Sequence, residues 1–160
     1  MSGDIAALGE LALTEEGFPA GEDPWLHRHW LTNAIDCGSA KVVRWMLQKG
    51  ASPVFADGEG YTSLHSAIER EEADKYEIMT MLIEFGADLN AHGVNDWTPA
   101  HLAAARDDVE ALRILNAANA DFSIRTRIDS HLTPLEEARL LGHSPEAVAY
   151  LKGLANQARE

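Results

Sequence analysis

Apolar residues recur along this chain in short bursts at helical spacing, each burst closed by a turn residue. Val42, Val43, Met46 and Leu47 form one burst, and Ile78, Met81 and Leu82 form another. Steps of three and four residues put each set on one face of a helix. The bursts end at Gly50-Ala51, Gly86-Ala87-Asp88 and Asn119-Ala120-Asp121. Glycine stops a helix in the left-handed conformation without a Cβ penalty, and asparagine is the next-best residue there. A second class of marker opens helices: Thr62-Ser63-Leu64-His65, Thr98-Pro99-Ala100-His101 and Thr133-Pro134-Leu135-Glu136. A threonine hydroxyl caps free N–H groups, and proline at the first helical position has no N–H to leave unpaired.

The two kinds of marker keep one period. The threonines are 36 and 35 residues apart. From Ala34 to Gly50 and from Ala103 to Asn119 is 16 residues, and from Ala67 to Gly86 is 19. Each repeat therefore reads as a helix, a tight turn, a second helix and a long loop. The second repeat carries three extra residues near Glu71–Tyr76, and the loop from Ala120 to Thr133 is two residues longer than its counterparts. In the last repeat Thr133 and Glu136 have the spacing of a capping box.

These residues closely resemble the ankyrin repeat, whose signature is Thr-Pro-Leu-His-x-Ala in a period of about 33. The resemblance covers residues 29–152. Thr98-Pro99, His101 and Ala103-Ala104 match most fully, and Gly142-His143 matches the pair before the outer helix. The first repeat departs from it, with His29-Trp30-Leu31-Thr32 in place of the signature. The resemblance implies an all-α ankyrin-repeat solenoid of stacked helix-turn-helix units with projecting β-turn fingers. Its parts would be a cap helix and linker at 1–24, a degenerate first repeat at 25–54, repeats at 55–90 and 91–125, and a fourth repeat with a final cap helix at 126–160. Asp4–Leu13 is expected to form the first cap helix, with Ile5, Leu8 and Leu11 inward. Phe18–Pro24 reads as a turn-rich linker. Pro145–Arg159 reads as the last helix, packing Val148 and Leu151.

Charge narrows the choice of partner. The formal net charge is −13, and residues 1–24 hold six acids without Lys or Arg. Residues 55–92 hold nine acids against Arg70 and Lys75, whereas 25–54 come out at +3. Such a surface repels phosphate backbones and anionic lipid, which argues against nucleic acid and membrane, and it steers a basic protein inward. No apolar run approaches the ~20 residues of a membrane span. The first residues have neither a basic stretch nor a long apolar one, so no secretory signal is expected. Cys37 is the single cysteine, which excludes an internal disulfide and fits a reducing, cytosolic compartment.

Catalytic patterns are missing. The sequence holds no phosphate-binding loop, GxSxG elbow, CxxC pair or HExxH motif, so no enzyme, cofactor or metal is expected. His65 and His101 fall on the position where the resembled family staples its loops by hydrogen bonds. His27 and His29 have Asp23 and Asp36 as carboxylates and no Cys close by, a poor metal set. Cys37 has no basic neighbour closer than Lys41, so a buried or idle thiol is expected. Glu71-Glu72 and Asp107-Asp108 read as solvated or helix-capping acids.

In the resembled family, partners meet a concave surface made by finger tips and inner-helix faces. Carried over, this implies Gly58, Glu59 and Tyr61 on the second finger, Val94, Asn95 and Trp97 on the third, and Asp129, Ser130 and Leu132 on the fourth. Trp25 and Leu26 would flank it. On the inner helices it implies Asp36, Cys37, Glu69, Arg70, Ala105, Arg106, Leu140 and Leu141. Tyr61 and Trp97 lie outside any apolar stripe, and aromatics ringed by polar groups are the composition of interface hot spots. Trp45 instead lies within the outer-helix stripe and reads as core, while partial burial is expected of Trp30. The function expected is a monomeric, non-catalytic module that inhibits or neutralises a basic protein, in the manner of an immunity protein. The alternative is a scaffold or regulatory subunit.

Overall fold

The computed structural model describes residues 5–14, 17–23, 28–56, 60–128, 131–142 and 145–157. It divides into two compact units, residues 1–88 and 89–160. All regular structure among the described residues is helical, apart from isolated bridges between Glu22 and His29 and between Ala56 and Thr62. None of the helices is long and apolar enough to cross a membrane.

The first unit holds α1 (Ile5–Thr14), α2 (Trp30–Cys37), α3 (Ala40–Gln48), α4 (Ser63–Glu69) and α5 (Lys75–Glu84). Helices α2 and α3 form one antiparallel pair and α4 and α5 the next. Inner helix packs on inner (α2 on α4) and outer on outer (α3 on α5). Leu31, Ile35, Val43, Met46, Leu64, Ile68, Ile78, Met79, Met81 and Leu82 fill the space between them. Burying each such side chain stabilises by about 1.5–3 kcal/mol. Only α1 buries nothing fully, and its Leu13 is 87% exposed.

The second unit holds α6 (Pro99–Ala105), α7 (Val109–Ala117), α8 (Pro134–Leu141) and α9 (Pro145–Gln157). Here α6 packs on α7, α8 and α9, and α8 on α9. Every residue of α6 is buried, four of them alanines. Small side chains let neighbouring backbones approach closely. Ala111, Leu112, Leu115, Ala138, Ala147 and Leu151 complete this core. Ala147 thus takes the buried place expected of Val148, which is half-buried.

The helix stops are left-handed as the spacing requires, with φ of 96° at Gly50, 92° at Gly86 and 66° at Asn119. The starts also hold. Thr133 Oγ1 accepts the N–H of Glu136 at 3.4 Å, and Glu136 Oε2 accepts the N–H of Thr133 at 2.9 Å, closing the capping box. In α6, His101 plays the glutamate's part: its Nδ1 accepts the N–H of Thr98 at 3.2 Å.

Two expectations need correction. Trp45 is half-buried rather than core: Val42, Val43, Met46 and Leu47 take the buried places of its helix, and Trp45 stands against Phe18, whose ring lies 6.1 Å away and also meets Trp30 edge-on at 5.2 Å. Of the two expectations for Cys37, buried or idle, the first fails, since it is exposed at the last position of α2.

Candidate functional site

The third finger is built on a strained turn. Gly93 N–H reaches Trp97 O at 2.7 Å, and the turn between them puts Asn95 at φ 55° and Asp96 at φ 58°. Asn and Asp are the non-glycine residues that tolerate this left-handed region best. Asp96 turns its carboxylate inward and is buried. It accepts the backbone N–H of Arg127 and grips the guanidinium, with Nε at 2.8 Å. The Arg127 hydrogen bonds, against some burial and with help from His92, hold the Asp96 carboxyl down at about 2. Asp96 therefore pins the third finger to the fourth.

The fourth finger is closed from within. Thr126 N–H donates to Leu132 O and Leu132 N–H donates to Thr126 Oγ1, both at 3.0 Å. The same Leu132 carbonyl accepts from His101 Nε2 at 2.9 Å. Nδ1 of His101 already accepts the Thr98 N–H, so the proton sits on Nε2 and the ring is neutral. Burial pushes the His101 pKa down and favours that form. The staple implied by the resemblance is thus present, running from the inner helix to the base of the next finger.

Between these two pinned fingers lies a groove of about 290 Å³, lined by Asn95, Trp97, Thr126, Ile128, Leu132, Glu137 and Leu140. Leu140 is 68% and Ile128 51% exposed. Large apolar side chains left in water beside a half-buried tryptophan are uncommon on surfaces without partners. Of the residues named from sequence in this unit, Trp97, Leu132 and Val94 are half-buried, and Asn95, Arg106, Leu140 and Leu141 are exposed. Ala105 is buried, and Asp129 and Ser130 lie outside the described residues.

In the first unit, Tyr61 and Glu69 are half-buried. Gly58, Glu59, Trp25 and Leu26 lie outside the described residues. Asp36 is held by Arg28 at 2.5 Å. Arg70 departs from expectation: it is 8% exposed and turned into the protein. Its guanidinium donates to Ile35 O at 2.6 Å, Asp36 O at 3.3 Å and Gly38 O at 2.8 Å. Those carbonyls end α2, where no intrahelical N–H reaches them. Asp74 holds Arg70 from the other side at 2.8 Å and accepts the N–H of Ala40, the first residue of α3, at 2.9 Å. Burial alone would raise the Asp74 pKa, but the Ala40 N–H and Arg70 outweigh it and keep the carboxyl below its ordinary value. Arg70 is a structural clamp with nothing left to offer a partner.

Sequence reading missed Asp96, Arg127 and Ile128. A signal existed: Asp96 and Arg127 stand 31 residues apart, close to one repeat. His29 stacks on Phe55 at 4.3 Å and lies 3.7 Å from Glu22, and His27 is outside the described residues. Among the described residues no three His, Cys, Asp or Glu side chains gather as metal ligands would.

Residues 70–115 match the family model described as ankyrin repeats, many copies. An ankyrin repeat-containing protein of Schizosaccharomyces pombe is 30% identical over 118 residues, covering 74% of this chain and 54% of that protein. The human BCL-6 corepressor-like protein 1 is 34% identical over 97 residues, or 60% of this chain and 5% of its own length. The mouse RelA-associated inhibitor is 35% identical over 78 residues, covering 49% of this chain and 9% of that protein. The chain thus spans about half of the yeast protein and a small part of the other two. Ankyrin repeats form a protein–protein interaction module, typically without catalysis. Paired helices with left-handed stops, a histidine staple, the family match and these relatives agree: the chain carries ankyrin repeats.

Proposed function

We propose that this chain is a non-catalytic cytosolic module, monomeric when free, that binds and inhibits a basic protein. The observation that carries this reading is the groove between the third and fourth fingers, where Leu140 and Ile128 stay in water beside Trp97. Trp97 and Leu132 supply the anchor beside Asn95, and the register with the family adds Val94 and Arg106. Tyr61 and Glu69, half-buried in the first unit, are proposed as partner contacts on their own account. The charge of −13 supplies steering, which raises association rate more than residence time. A relative that is itself named an inhibitor supports the inhibitory half of the proposal.

The test is capture of the partner from source-cell lysate, followed by affinity measurement with the purified pair. Trp97→Ala should weaken binding by about 2 kcal/mol, roughly thirtyfold. Glu69→Lys should slow association and leave dissociation nearly unchanged. The competing surface is the acidic turn at 71–77. Shortening that turn would break the Arg70–Asp74 clamp, and Glu72 lies 3.6 Å from Arg70, so reversal of the exposed Glu71 is the cleaner probe. If that reversal abolishes binding while Trp97→Ala keeps it, the groove is not the site.

A further inference from the structure

Helix α8 carries a second surface that the finger groove does not use. Aligning Thr133 with Thr98 puts Leu135, Glu136 and Arg139 where α6 has Ala100, His101 and Ala104. The α6 residues are wholly buried, whereas Leu135 and Glu136 are half-buried and Arg139 is exposed. With Phe122 and, from α9, Leu151, Lys152 and Leu154, they line an open groove of about 930 Å³. None of its residues lines the Trp97 groove.

The register also says what this groove refuses. A helix pair seated as α8 sits on α6 needs the small Ala104, and Arg139 fills that place with a guanidinium. His101 donates Nε2–H to the next finger, whereas Glu136, ionised, has no proton to give. The rim holds three cations, Arg125, Arg139 and Lys152, against two acids, Asp121 and Glu136. Glu136 is occupied by the Thr133 N–H at 2.9 Å and by Arg125 at 2.7 Å. Asp121 accepts from Ser123 Oγ at 2.6 Å. Among the described residues no acid pairs with Arg139 or Lys152, both exposed.

We propose that this groove docks an acidic amphipathic helix of a partner protein. Its apolar side chains would cover Phe122, Leu135 and Leu154, and its carboxylates would meet Arg139 and Lys152, a helix-in-groove mode with charge complementarity. The proposal stands on this groove alone, whatever the finger groove binds.

The experiment titrates the full chain, isotope-labelled, with a synthetic amphipathic helix of Leu and Glu and with its Leu and Lys counterpart. Amide shifts are read by NMR. The Leu/Glu helix should move Leu135, Arg139 and Lys152, with weaker binding at higher salt. Arg139→Glu with Lys152→Glu should reduce its affinity roughly tenfold or more. Lys152→Glu alone should give a smaller loss in the same direction, and Trp97→Ala should leave it unchanged. Absence of shifts at about 1 mM peptide, or equal binding of the Leu/Lys helix, would overturn the proposal. So would the same shifts appearing on concentrating the chain without peptide, which would give the groove to a second copy.

Discussion

The two units solve one problem with opposite geometry. Each must satisfy the backbone groups left open where an inner helix turns into an outer one. In the first unit the acid comes from the longer turn of the second repeat: Asp74 caps α3 of the repeat before it. In the second unit Asp107, in the shorter turn of the third repeat, caps α9 of the repeat after it, accepting the Ala147 N–H at 2.7 Å. The first unit adds a buried arginine to its clamp; the second adds the Asp96–Arg127 lock between fingers. One repeat sequence can thus be tied to its neighbour at the turns or at the fingers. Where the charge is placed decides what disturbs the tie.

The largest effect is expected at Arg70. Arg70→Met keeps the aliphatic bulk but leaves three carbonyls and Asp74 without their partner. We expect a loss of about 3 kcal/mol or more, read by urea unfolding followed by circular dichroism. A loss below 1 kcal/mol would mean that water replaces the clamp. Hydrogen exchange should show the loss in α2 and α3, not in α8.

Acid should act next, in the second unit through two groups. Asp96, held at about 2 against an ordinary 3.8, stabilises the fold fully above pH 4 and loses that contribution as pH falls through 2. Burial lowers the His101 pKa from 6.5, so the unfolded chain takes a proton first and stability drops as pH falls below that value. Asp96→Asn should cost about 1 kcal/mol at neutral pH and flatten the stability profile of the second unit between pH 4 and 2. His101→Gln should flatten it just below pH 6.5. Unchanged profiles in both variants would refute the locking role of these two residues.

The smallest effect is expected at the family's staple position in the first repeat. Thr32 stands in register with His65, His101 and Glu136, is fully buried, and its hydroxyl meets no partner among the described residues. Thr32→Val removes that orphaned group at nearly constant shape, so it should be neutral or stabilise by up to about 1 kcal/mol. A clear destabilisation in thermal melting would show that the hydroxyl is satisfied after all.

Helix starts and stops were legible in the sequence because each depends on one residue's own chemistry: a capping hydroxyl at Thr133, a left-handed stop at Asn119. The exposed pair Leu140 and Leu141 was legible by register with the family. Arg70 and Asp96 were not. Their roles depend on which carbonyl or N–H of a neighbouring repeat comes within reach, and that is settled by packing some thirty residues away. Trp45 was misjudged because Val42, Val43, Met46 and Leu47 already take the buried places of its helix, leaving its ring against Phe18, outside the repeat pattern.

The tryptophans fall unevenly between the units, and this makes the chain its own optical instrument. Trp25, Trp30 and Trp45 belong to residues 1–88, and Trp97 alone to residues 89–160. Replacing the first three with phenylalanine would leave a single emitter at the finger groove, whose colour reports occupancy of that groove. The converse variant, Trp97→Phe, would be silent to the groove, and its emission would follow melting of the first unit alone.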